Sequence, residues 1–169
     1  MPRENVLSAD NQQGRVQQRL QPWYVCGLVD GEGSFHIALY KDAQMRVGTK
    51  AIPEFHVSQR VSSRRVLDEL VRFFRCGYVK VNHRTNPKDV TYVYVVRDRT
   101  DLLTKIVPFF EKYQLQTEKR NDAGIFATVV RLMSQRRHRN ARGMRQIITL
   151  AYKMNGAGRY RTRPKTTLM

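Results

Sequence analysis

The chain has 169 residues, 41% of them hydrophobic, with 31 Lys or Arg against 14 Asp or Glu and a formal net charge of +17. That length and apolar share fit one domain with one core. So large a positive charge destabilises a compact chain unless a polyanion offsets it, which puts nucleic acid first among partners and a membrane surface a distant second, no long apolar run being present.

Residues 1–20 are polar, Gln-rich and aperiodic, with no apolar stretch of the kind a secretory signal needs. They predict a flexible N-terminal arm on an intracellular protein (cytoplasm, nucleoid or organelle matrix) rather than a secreted one. Cys26 and Cys76 stand alone, so they read as small hydrophobes of a reducing compartment, not as a disulfide framework or zinc site. The folded domain spans residues 21–154, and residues 155–169 form a basic, flexible tail.

A helix is expected from Gln21 to about Asp30, with Pro22 in its first turn and glycines at its end. Gly27 and Gly31 are four residues apart on one face. Interior Gly costs up to about 1 kcal/mol relative to Ala, so the spacing suggests close approach of another backbone. Asp30 and Glu32 lie where the helix dipole is already negative, and acids there call for a cation.

Ser34–Tyr40 alternates: Phe35, Ile37 and Leu39 face one way, Ser34, His36, Ala38 and Tyr40 the other. After a basic loop containing Lys41 and Arg46, Ala51–Arg60 reads as the antiparallel return strand. Its residues Phe55 and Val57 face the core, and Glu54, His56 and Ser58 the opposite side. Ser62–Arg75 is an amphipathic helix. Residues 78–82 and 90–96 form a second hairpin around a turn containing Arg84. A helix follows from Asp98, ended or bent at Pro108; a longer one runs from Thr117 to about Met133, and a last one from Ala141 to Met154. Beyond Asp122 the chain has no acid but eleven Lys or Arg.

Two consecutive hairpins can join in one antiparallel sheet, covered by helices on one face and open to solvent on the other. The fold class is therefore α+β. The open face is expected to carry Ser34, His36, Tyr40, Lys50, Glu54, His56, Ser58, Lys80, Asn82, Tyr92 and Tyr94. With Lys41, Arg46 and Arg84 in the adjoining loops, these side chains form a surface suited to base edges in a major groove. Arg142 and the basic C-terminal region suit phosphates.

Val25-Cys26-Gly27-Leu28-Val29-Asp30-Gly31-Glu32-Gly33, continued by Ser34-Phe35, resembles the signature of LAGLIDADG homing endonucleases. The resemblance extends to the helix–hairpin–helix–hairpin–helix order over roughly residues 21–154, to Gln59 near a strand end, and to Thr117-Glu118-Lys119-Arg120 opening a later helix. Cys26 stands where Ala is usual, and Glu32 replaces the second Asp. The resemblance implies an αββαββα core whose four-stranded sheet binds DNA, and an intron-encoded, site-specific double-strand endonuclease. Such an enzyme hydrolyses phosphodiesters with Mg²⁺ (Mn²⁺ or Ca²⁺ in its place in a structure) and leaves 3′ overhangs. One signature per chain implies a homodimer on a near-palindromic site, with Trp23, Gly27, Leu28, Asp30 and Gly31 at the helix–helix interface.

On the same resemblance Glu32 is a metal ligand, helped by the Gly31 carbonyl; a hard divalent cation takes such oxygens. Gln59 positions the attacking water, and Lys119 stabilises charge on the reacting phosphate. Arg64 is a further electrostatic candidate, with Arg60 and Arg65 competing for its place. Asp30, about 200° around the helix from Glu32, is assigned to structure rather than catalysis. Two other readings compete: an intron-RNA maturase or other non-cleaving binder of the same fold, and an unrelated basic RNA-binding or ribosomal protein. The second accounts for the charge but not for Gly27, Gly31 and Glu32.

Overall fold

The computed structural model of the protein describes residues 19–82 and 90–157. Residues 1–18 of the expected arm (1–20), Arg84, and residues 158–169 of the expected tail (155–169) lie outside the described residues. Helix α1 (Pro22–Glu32) leads directly into strand β1 (Gly33–Lys41), which pairs antiparallel with β2 (Thr49–Arg60). Helix α2 (Arg64–Phe74) follows a 3-10 turn, then come β3 (Tyr78–Val81) and β4 (Thr91–Val96). The two hairpins join through β2 and β4 into one antiparallel sheet of order β1-β2-β4-β3, as the alternation predicts. Helical segments α3 (Arg99–Asp101), α4 (Val107–Lys112), α5 (Lys119–Ser134), α6 (Ala141–Ala151) and α7 (Met154–Ala157) complete the described chain.

The core lies between one sheet face and the helices. Phe35, Phe55, Tyr94 and Val96 of the sheet meet Val25 and Val29 of α1, Leu67, Leu70 and Phe74 of α2, Phe110 of α4 and Phe126 of α5. Phe55 is its centre, with ring centroids 5.2 Å from Phe35, 5.4 Å from Phe110 and 6.2 Å from both Phe74 and Tyr94. Aromatic pairs at such distances, several edge-on, add to the area they bury.

Pro108 neither ends nor breaks its helix. The chain passes from α3 through a π-helical turn (Leu102–Ile106) into α4, with Pro108 near its N-terminus. The wider i→i+5 turn accommodates a residue that lacks an N–H and would crowd an α-helical carbonyl.

The phase of β4 differs from expectation. Val57 pairs with Tyr94 and Gln59 with Tyr92, so both tyrosines share the helix-covered face with Val57. Tyr94 is fully buried, its hydroxyl donating to Cys76 O at 2.9 Å; burial pushes its ionisation far above the usual range. Gly77 makes room for its ring: at φ +76 a Cβ there would sit 2.6 Å from Tyr94 Cε2. Thr91, Val93 and Val95 occupy the open-face positions of β4 instead, opposite Arg60, Ser58 and His56. Tyr92 and Tyr94 are thereby removed from the nucleic-acid face.

Candidate active site and nucleic-acid interface

Helix α1 ends at the sheet's edge strand, and the join fixes where its acids go. Gly33 is buried against the last turn: a Cβ there would lie 2.5 Å from Val29 Cγ1 and 2.7 Å from Val29 O. Only Gly lets the chain turn from helix to strand so tightly, and this leaves Glu32 exposed at the junction. The Glu32 carboxylate has no hydrogen-bond or ion-pair partner among the described residues, although the chain carries many cations.

The start of α5 is brought against this junction. Lys119 Nζ donates to Val29 O at 3.2 Å, Asp30 O at 2.8 Å and Gly31 O at 2.9 Å. The negative end of α1 thus gathers a cation on three carbonyl oxygens, one residue from Glu32. Glu32, Gly31 and Lys119 are brought together as the resemblance implies.

Asp30 sets that arrangement from within the chain. Its Oδ2 accepts from Gln116 N at 2.9 Å, and its Oδ1 from Thr117 Oγ1 at 2.7 Å and Thr117 N at 3.2 Å. Thr117 Oγ1 in turn accepts from Lys119 N at 3.3 Å. Burial pushes the Asp30 carboxyl up, but the Gln116 amide, the Thr117 hydroxyl and amide, and the Lys119 charge outweigh it and hold the carboxyl below its ordinary value. The helix–helix interface expected to use Asp30 therefore loses its carboxylate to a bond within the chain, because unsatisfied N–H groups at the approach to α5 lie in reach. Nothing local in the sequence marks Gln116 as a partner of Asp30. Thr117 opens the Thr117-Glu118-Lys119-Arg120 segment already singled out, but its bond to Asp30 is a tertiary contact.

Gln59 lies on the helix-covered face, two residues past the Gly33–Val57 pair and therefore roughly 7 Å further along β2, at the end of the sheet where α1 arrives. It faces Tyr92 across β4, and the Arg64 guanidinium stacks 4.7 Å above the Tyr92 ring. Arg64 also lies 3.7 Å from Asp68. Tyr92 thus links Gln59 and Arg64, which form a second group at this end of the sheet.

On the open face, Ser34, His36 and Tyr40 pair with His56, Glu54 and Lys50, while Ser58 and Lys80 flank Val93. Asn82 follows the end of β3, its amide donating to Thr91 O at 2.8 Å. Lys41 and Arg46 are exposed at the β1–β2 turn, and Arg142 is exposed in the first turn of α6. Glu54 departs from expectation. It lies in phase with this face but is 5% exposed, with Arg97 Nε 2.6 Å and His56 Nε2 2.9 Å from its carboxylate. Burial raises its carboxyl, and His56 and Arg97 more than reverse the effect. Glu54 therefore orients two base-bearing side chains instead of reaching out itself. Arg97 enters this face without having been anticipated.

The outer side of α1 carries Trp23, Gly27 and Gly31 in one stripe at four-residue spacing, with Tyr24 and Leu28 beside it. Trp23 is 62% exposed, and among the described residues no atom beyond α1's own nearby backbone lies within 4 Å of a Cβ built on Gly27 or Gly31. The backbone approach that these glycines suggest is not made among the described residues.

A helix-covered antiparallel sheet with one open face, and an exposed acid beside a carbonyl-bound lysine at the end of α1, define an α+β fold of one recognisable class. The profile of the family described as LAGLIDADG endonuclease matches residues 25–130, and the chain belongs to that family. The solved structure of a homing endonuclease, I-TnaI, is similar at 33% identity and a TM-score of 0.76, covering 89% of this chain and 95% of that one. I-SmaMI bound to an uncleaved DNA target in the presence of calcium ions is similar at 32% identity and a TM-score of 0.76, covering 81% of this chain and 45% of that one. "Probable intron-encoded endonuclease 2" of Neurospora crassa is 33% identical over 131 residues, 76% of this chain and 28% of that protein. The chain spans between 25% and 40% of the length of the curated relatives that it matches. No described helix is long and apolar enough to cross a membrane.

Proposed function

We propose that the protein is a site-specific DNA endonuclease that works as a homodimer and hydrolyses one phosphodiester in each strand with a divalent cation, Mg²⁺ by preference. The observation that carries this reading is the convergence at the end of α1. There an unpartnered carboxylate, Glu32, stands beside carbonyls that already draw the Lys119 ammonium. That donor set fits a hard cation: one carboxylate and the Gly31 carbonyl, with phosphate and water to complete the shell. Among the described residues no three acids, cysteines or histidines cluster, so the protein alone would supply only part of the coordination. When bound, such an ion lowers the pKa of an attacking water and offsets charge on the scissile phosphate.

The chain's own residues account for the rest. Lys119, held by the Asp30–Thr117 bonds, sets a second positive charge next to the position of the phosphate, where charge builds in the transition state. Gln59 offers an amide that can orient water from the sheet side, and Arg64 adds positive charge beyond Tyr92. The open sheet face, with His36, His56, Lys80 and Arg97, would read base edges in the major groove.

Two further observations support the homodimer. Trp23 is 62% exposed although its ring meets Tyr113 edge-on, and Gly27 and Gly31 face open space among the described residues. One copy of the fold accounts for 45% of the I-SmaMI chain, so two copies supply a unit of that size. Each protomer then brings its own Glu32 to one strand of a near-palindromic site, and 3′ overhangs follow from cleavage across the minor groove.

Glu32→Gln tests the reading. It should abolish Mg²⁺-dependent cleavage of a target duplex while leaving DNA affinity within a few-fold. Cleavage at the wild-type rate would remove Glu32 from the chemistry. Duplex binding by the wild-type protein without nicking would favour a maturase or other non-cleaving binder.

A further inference from the structure

Strand β4 stops at Val96, opposite Phe55, so the stretch of β2 from Thr49 to Glu54 has no strand neighbour on that side. A cavity of about 660 Å³ opens along this bare edge. Arg46 and Lys50 line it from the β1–β2 hairpin, Arg97 and Arg99 from the chain leaving β4, and His138 and Arg139 from the 3-10 turn before α6. No lining residue is acidic. Glu54 neutralises Arg97 at 2.6 Å, but Arg46, Lys50, Arg99 and Arg139 have no carboxylate partner among the described residues. Arg99 Nη1 instead lies 3.3 Å from His138 Nε2, a contact that steers the guanidinium without cancelling its charge. Burial and the charges of Arg99 and Arg139 keep His138 below its usual value, so the ring is an acceptor for Arg99 and not a fifth repelling cation.

We infer that this cavity is a clamp for the DNA backbone beyond the stretch read by the sheet. The inference rests on the duplex-binding reading above. Four uncompensated cations around one opening call for a polyanion, and phosphodiesters supply one charge after another along a fixed path. Continuity with the open face selects DNA over a small anion. Lys50 pairs with Tyr40 on that face, and Arg97 follows β4 beside Glu54, so the mouth of the cavity extends the surface on which the duplex would lie. The volume also exceeds what one phosphate needs. Ala51 is six residues along β2 from Val57, the partner of Gly33, which places the clamp roughly 20 Å, or about six base pairs, from the Glu32 end. Contacts there position the protein on the duplex without reading sequence.

The test is a salt titration of binding to a duplex of about 40 base pairs, by fluorescence anisotropy with Ca²⁺, comparing wild type, Arg99→Gln/Arg139→Gln and Arg72→Gln. Arg72 lies on the outer side of α2, paired with Glu69 at 2.7 Å, and reports what loss of one surface charge does. Both clamp arginines are exposed, so the double variant should melt like wild type. The expected result is at least a ten-fold loss of affinity at low salt and a slope of log K against log salt shallower by about two, with Arg72→Gln unchanged. A double variant with the wild-type slope, while wild type binds, overturns the clamp alone. Failure of wild type to bind any duplex overturns the DNA reading and the clamp with it. If the slope is unchanged but pyrophosphate raises the melting temperature of wild type and not of the double variant, the cavity is a small-anion site and the clamp is wrong.

Discussion

Replacing Asp30 with Asn isolates what its charge does, because the side chain keeps its shape and one acceptor oxygen. In the wild type that carboxylate accepts from Gln116 N, Thr117 N and Thr117 Oγ1, at 2.9, 3.2 and 2.7 Å. Hydrogen bonds to a charged group contribute about 1.5–3 kcal/mol each when water is excluded. Here two donors share Oδ1 and solvent reaches the site, so the variant should lose about 1–2 kcal/mol from this source. Removing a negative charge from the C-terminal turn of α1 offsets about 0.3–1 kcal/mol of that loss. The hydrogen bonds win, leaving a net destabilisation of about 1 kcal/mol and a melting temperature lower by about 2–4 °C for a domain of this size. The loss depends on pH. Asp30 is held below its unfolded value of about 3.9, so its contribution is fully present above that value and disappears as pH falls through the lower folded one. Thermal melts of wild type and Asp30→Asn should therefore differ at pH 6–7 and converge below about pH 4. A gap that persists undiminished as pH falls well below 4, or no gap at neutral pH, refutes the argument. Because Thr117 also accepts from Lys119 N, the variant should lower kcat for cleavage more than it raises KM.

Gly27→Leu adds a side chain where the folded chain has open space, so the monomer should melt no lower than wild type while light scattering shows loss of the dimer. Gly33→Ala should do the reverse, lowering stability by about 2 kcal/mol or more, because its Cβ meets Val29 at 2.5 Å; urea unfolding measures this. Tyr94→Phe should cost about 1 kcal/mol through the lost bond to Cys76 O and leave DNA affinity unchanged, which anisotropy and melting together would check.

The order of elements, the two hairpins and the position of Glu32 at a helix end were all legible in one chain, because they follow from local periodicity and from Gly and Pro placement. The signature around Gly27 and Glu32 pointed to the family for the same local reason. Three features depended on the tertiary structure. In β4 tyrosines alternate with Thr91, Val93 and Val95, so both faces of the strand are apolar enough to be buried, and only the Val57–Tyr94 pairing decides which one is. Glu54 has the phase of a solvent-facing residue, yet Arg97, 43 positions later, closes over it. Asp30 finds its donors 86 and 87 positions away, at the approach to α5. Local sequence determines which residues share a face. Which charged or aromatic group meets which partner is set by contacts between distant segments, and these exist only once the helices have packed on the sheet.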